Sequence, residues 1–192
     1  MNCVKHIMNA ILLHDVVTVS FLVPYSLLCI AEVFYGYALY PLFLTHALIF
    51  HMLYDMLWLH VQPKIVPSMR ELIMLHHAVA ITLLMHPLTR PQDAGFTALS
   101  GLIEIDTSML LLRRLTKHNN SLTNFFDFMY KLTNIILRVY FETFMLFIMS
   151  IYFKHDHILT RIHVIGGQVF ITLFSYGICA LTFSRKNPGL KN

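Results

Sequence analysis

What most limits the folds open to this chain is a succession of six apolar segments, spanning roughly 10–31, 38–61, 72–88, 96–112, 126–153 and 163–183. A helix rises about 1.5 Å per residue, so roughly 17 to 25 mostly apolar residues cross a hydrocarbon core. Breakers separate the segments: Tyr35-Gly36-Tyr37, then Pro63 and Pro67, then Pro87 and Pro91, then the polar run from Lys117 to Ser121. Only 12% of the 192 residues are charged and 57% are apolar, against roughly a quarter charged in a soluble domain. Removing the six segments leaves no stretch long enough for a soluble core. The expected fold is all-α: a polytopic membrane bundle of about six helices in one domain, 10–183. A short N-terminal stretch, 1–9, and a basic tail, 184–192, flank it.

The distribution of Lys and Arg gives the orientation. Lys5, Lys64, Arg70, Arg113, Arg114, Lys117, Arg185, Lys186 and Lys191 fall on one side, whereas Arg90, Lys154 and Arg161 fall on the other. By the positive-inside rule both termini are expected in the cytosol. The net charge of +4 comes from these scattered residues and not from a basic run, so no nucleic-acid partner is expected. Asn119-Asn120-Ser121 fits a glycosylation sequon but falls in a cytosolic loop, where it stays unmodified. Cys3, Cys29 and Cys179 have neither a CxxC nor a metal spacing, which argues against a disulfide framework. The start of the chain lacks a cleavable leader pattern and the glycine that myristoylation requires, so the first span is expected to be retained.

Inside the apolar segments the polar residues recur at helical spacing. His51, Tyr54, Asp55 and Trp58 share one face, with Asp55 a turn below His51 as a carboxylate partner for an imidazole. The next segment carries adjacent histidines, His76 and His77. Their side chains point about 100° apart, so one of them faces the bundle axis squarely. A titratable group in a span is by default a functional hypothesis, because an unpartnered imidazole in lipid costs free energy. His86 reads as an interfacial residue, and His155 to His157 as a solvated loop. In the fourth segment Gly101, Glu104, Thr107 and Ser108 line up, with Asp106 on another face. The fifth has Asp127, Lys131, Asn134, Arg138 and Glu142 in one stripe, which lipid cannot solvate. Asp127 can pair with Lys131 and Arg138 with Glu142 at one-turn spacing, though Arg138 can also meet Glu104 or Asp55. Gln168, Thr172 and Ser175 share a face of the sixth. Ionisable groups from four helices thus converge on one region, which predicts a polar central cavity. The same pattern fits an internal salt-bridge seam that fixes packing.

Four stretches carry a resemblance: His51-Met-Leu-Tyr54-Asp55, Leu75-His76-His77, IEIDTSMLLLRRL from Ile103, and Asn134-Ile-Ile-Leu-Arg138. In this order and spacing the chain is similar, over nearly its whole length, to the TLC-domain membrane proteins. These include translocating-chain-associating proteins, ceramide synthases, ceroid-lipofuscinosis-like proteins and orphan proteins of the endoplasmic reticulum. The resemblance implies six helices around a central pocket, residence in that membrane, and a histidine pair which in ceramide synthases belongs to the acyl-transfer site. Where those enzymes carry His-Asp-x-Ser-Asp this chain reads Glu104-Ile105-Asp106-Thr107-Ser108, without the second Asp. It resembles the minimal, orphan type.

The chemistry these residues suit is acyl transfer from acyl-CoA, as a co-substrate, to a membrane lipid. His76 or His77 would be the base or nucleophile, Asp55 or Asp106 would hold its tautomer, and Arg138 would stabilise negative charge. His51, Tyr54, Glu104, Thr107, Arg138 and Glu142 are the expected substrate contacts. The alternative is a non-catalytic lipid-binding or lipid-sensing protein, or a trafficking or chaperone factor, using the same cavity. No bound cofactor or metal is expected: the HxxxH and HxxHH boxes of di-iron sites are absent, and nothing selects a haem pair such as His51 with His77.

Overall fold

The computed structural model describes residues 2–37, 39–63 and 69–184, with side chains from Ala10 onward except Pro41. The breaker Pro67, Lys64 and the basic tail from Arg185, including Lys186 and Lys191, lie outside the described residues. Within them the chain is helical, with no strand. The elements are α1 (Asn2–Phe34), α2 (Pro41–Val61), α3 (Arg70–Thr89), α4 (Gly95–Gly101), α5 (Glu104–Leu115), α6 (Asn120–Thr133), a π-helical stretch (Asn134–Phe141), α7 (Glu142–Tyr152) and α8 (Ile158–Ser184). They make six helical segments long and apolar enough to cross a membrane: α1, α2, α3, α4 with α5, α6 through α7, and α8.

The segments close into a ring. α1 packs on α2, α2 on α3, α3 on α8, α8 on α7 and the π stretch, α6 on α5, and α4 and α5 back on α1. Polarity runs opposite to that of a water-soluble domain. His14, Glu32, Asp106, Glu142 and Gln168 are buried, while Leu27, Phe50, Phe147 and Leu173 stand more than 60% exposed on the outer wall.

Local chemistry explains where segments end or bend. Gly36 and Tyr37 adopt φ of 70° and 62°, which terminates α1. The buried carboxylate of Glu32 then accepts from the N–H groups of Leu39 (3.2 Å) and Tyr40 (2.8 Å), serving donors at the start of α2 that have no helical partner. Gly95 leaves room for the Tyr37 ring, which a Cβ there would meet at 3.0 Å. The fourth segment is broken between Gly101 and Glu104, and at the break Gly101 lets α1 come close: a Cβ there would lie 2.5 Å from Cys29 Sγ.

The expected segments are all present, most with longer ends, while the second starts later, at Pro41. The first runs to Phe34, the third from Arg70 to Thr89 with Pro87 inside its last turn, the fifth from Asn120, and the sixth from Ile158. Residues 2–9, expected as a separate stretch, continue α1 without a break. The polar run from Lys117 falls in the turn between α5 and α6, as its breaker character predicts. Asn119 itself caps α6, accepting from Leu122 N at 3.2 Å.

Candidate functional site

Three polar constellations lie inside the ring. The first is a chain of side chains from four segments. Asp55 of α2 binds two imidazoles at once: His14 Nε2 donates to Oδ1 at 2.7 Å and His77 Nε2 to Oδ2 at 2.8 Å. His14 Nδ1 faces Asp15 Oδ1 at 3.4 Å, and Arg114 Nε of α5 reaches Asp15 Oδ2 at 3.0 Å. His51 is not the partner of Asp55. Its ring stacks on Phe21 at 4.6 Å, while the Asp55 carboxylate takes His14 and His77. Tyr54 leans on Trp58, ring centroids 5.6 Å apart.

The second constellation holds the fourth and fifth segments together. Asp106, fully buried, accepts from Arg138 Nε at 2.5 Å, Thr133 Oγ1 at 2.9 Å and Asn134 Nδ2 at 3.2 Å. Arg138 also donates to Thr107 Oγ1 at 3.3 Å. Two expectations are corrected here. Arg138 pairs with Asp106 rather than with Glu142, and Asp106 holds a guanidinium rather than an imidazole. Arg138 and Glu142 still line one cavity, but the guanidinium turns to the Asp106 carboxylate presented by the facing fourth segment. Glu142 instead accepts from Gln168 Nε2 of α8 at 2.6 Å. Lower on the same stripe Asp127 does pair with Lys131 (2.5 Å) and also takes Arg113 (2.7 Å).

Between these lies a partly open cavity of about 70 Å³, lined by His76, Glu104, Arg138, Glu142, Gln168 and Ser175 together with apolar side chains such as Leu48, Met52 and Ile171. That volume is well below the roughly 300–1,000 Å³ of small-molecule pockets. Half of the lining is apolar, so the cavity is mixed rather than polar throughout. It also separates the histidine pair. His76 lines the cavity, its ring stacked on Phe174 at 4.1 Å, while His77 turns to Asp55. The Nδ1 of each is buried and has no hydrogen-bond partner among the described residues. Asp55, His51, Tyr54 and Thr107 are not among the lining residues. Glu104 and Asp106 face different interfaces, the cavity and the fifth segment, as their angular separation on a helix requires.

A third constellation occupies the opposite end. His86 Nε2 donates to Asp93 Oδ2 at 2.9 Å, Tyr152 Oη donates to Asp93 Oδ1 at 2.8 Å, and Arg90 pairs with Asp93 (3.2 Å) and Asp156 (2.5 Å). His86 is thus a half-buried partner of Asp93 near the end of α3, and Asp156 is tied down while His155 and His157 are exposed. His86 and Asp93 border a second space of about 50 Å³ that shares Leu83, Leu84, Ser100 and Gln168 with the first.

Sequence reasoning passed over His14, Asp15, Glu32 and Asp93. The signal for the first two was the one that singled out His76 and His77: ionisable residues inside an otherwise apolar segment. Among the described residues no group of three or more His, Cys, Asp or Glu is arranged to hold a metal ion. Compared with protein-family models, characterised proteins and solved structures, the chain has no match.

Proposed function

We propose that the chain is a multi-pass membrane protein of TLC-like type, resident in the endoplasmic reticulum with cytosolic termini, that takes a membrane lipid into its central cavity and transfers an acyl group to it from acyl-CoA. Six apolar segments with an outer wall of exposed Leu and Phe support the membrane part, since only lipid makes such a wall favourable. One observation carries the chemistry. His76 stands in the wall of the cavity that Arg138 and Glu104 also line, its Nδ1 without a partner among the described residues, next to an imidazole oriented by Asp55.

In the reaction, a histidine of the pair takes the proton from a hydroxyl or amine of the lipid. The freed oxygen or nitrogen bonds to the thioester carbon, the carbon–sulfur bond breaks, and the departing CoA thiolate takes the proton back from the imidazolium. Arg138, anchored by Asp106 and Thr107, presents a fixed cation to the cavity where the tetrahedral oxyanion would form. General-base catalysis of this kind contributes roughly 10²- to 10⁴-fold.

A second reading, non-catalytic lipid binding or sensing, is favoured by a different observation. The histidine in the cavity has no carboxylate on it, because Asp106 is occupied by Arg138, Thr133 and Asn134. Purified chain in nanodiscs, given labelled acyl-CoA and a panel of lipids, separates the two. Product that falls at least about 100-fold in His76→Ala supports transfer. A single tightly held lipid seen by native mass spectrometry, with no product, supports binding. Neither product nor retained lipid refutes both.

A further inference from the structure

We propose that His14 is a positioning residue for the histidine pair: a buried imidazolium clamped between Asp15 and Asp55 that keeps His77 neutral, with its Nδ1 free. Its purpose rests on the acyl-transfer reading above, while the charge arrangement rests on geometry alone.

A carboxylate only accepts hydrogen bonds, and a neutral imidazole has one N–H to give. His14 faces carboxylate oxygens with both nitrogens, Asp55 Oδ1 at 2.7 Å and Asp15 Oδ1 at 3.4 Å, so both nitrogens carry hydrogen and the ring is a cation. The other oxygen of Asp15 is met by Arg114 Nε at 3.0 Å. Charges therefore alternate along the chain: Arg114 positive, Asp15 negative, His14 positive, Asp55 negative. They cancel before His77 is reached. His77 then only donates Nε2–H to Asp55, at 2.8 Å, and stays neutral.

His14, Asp15 and Asp55 are each less than 9% exposed, so water cannot stand in for a missing charge. Were His14 uncharged, Asp55 would have only His77 to balance it, and His77 would take the proton and lose its basic nitrogen. The remaining neighbours do not supply that cation. Trp58 packs 5.8 Å from the His14 ring, His51 is stacked on Phe21, and His76 lies 5.5 Å from His77 by ring centroids. Arg138, across the cavity with Glu104, is committed to Asp106.

The test is nitrogen-15 NMR of the full chain in lipid bilayers, labelled at histidine, near neutral pH, with signals assigned by single substitution. Wild type should show two protonated ring nitrogens for His14, and one protonated and one bare nitrogen for His77. His14→Gln should abolish the bare-nitrogen signal of His77, and His14→Lys, which keeps a cation, should retain it. A residue that merely pinned α1 to α2 would not distinguish those two variants. A bare nitrogen on wild-type His14, or an unchanged His77 in His14→Gln, overturns the proposal. Should His14→Gln fail to fold, Asp15→Ala is read instead: His14 must lose one of its two N–H signals, and retention of both refutes the clamp. Because these spectra do not depend on turnover, the expected signals without acyl transfer refute only the enzymatic reading, and turnover without them refutes only the role of His14.

Discussion

Replacing Asp106 by Asn should destabilise the chain strongly. Arg138 has a side chain only 10% exposed, and Asp106 is its carboxylate partner at 2.5 Å. Breaking a buried ion pair by removing one member costs roughly 3–5 kcal/mol, since the surviving charge is left uncompensated. Two features of the site act in opposite directions within that range. Asp106 is fully buried and accepts three hydrogen bonds, so an amide NH₂ would be turned against the donors of Arg138 or Asn134. Glu104 shares the cavity with Arg138 and can take up part of the freed charge. The expected cost is therefore about 4 kcal/mol, close to three decades in the folding equilibrium at ~1.4 kcal/mol per decade. Equilibrium unfolding in mixed micelles can be followed by the single tryptophan, Trp58. The double variant Asp106→Leu/Arg138→Met, which removes both charges, should lose less than either single variant. A cost below about 1 kcal/mol for Asp106→Asn, or additive costs in the double variant, would refute the assignment of Asp106 as the counter-ion of Arg138.

Three further outcomes are expected. Gly101→Ala should cost roughly 1–3 kcal/mol by overpacking, because the new Cβ would lie 2.5 Å from Cys29 Sγ and 2.9 Å from Tyr25; adding Cys29→Ala should recover part of the loss in the same unfolding assay. Glu32→Ala should leave the amides of Leu39 and Tyr40 without their acceptor, at roughly 1–3 kcal/mol, and hydrogen exchange at those two amides should accelerate. Asn119→Ala should cost about 1 kcal/mol as a lost helix cap, and glycosidase treatment of chain made in eukaryotic cells should leave its gel mobility unchanged.

The helical segments were legible in the sequence because a long apolar run admits few structures in lipid. So was the inward face of the sixth, where Gln168, Thr172 and Ser175 are all buried. The periodicity that put Asp55 on a face with His51 was also sound, as was the 100° step that sends His76 and His77 in different directions. Partner choice was not legible. Helical spacing says which residues share a face of one segment, whereas Asp55 with His14 and Asp106 with Arg138 are contacts between segments, 41 and 32 residues apart in the chain. The ring order of the six segments decides those contacts. Apolar run length was enough to specify a bundle of membrane-length helices and the stock of ionisable groups within it. Which acid meets which base followed from packing, because each of these charges is satisfied by whichever segment lies opposite it.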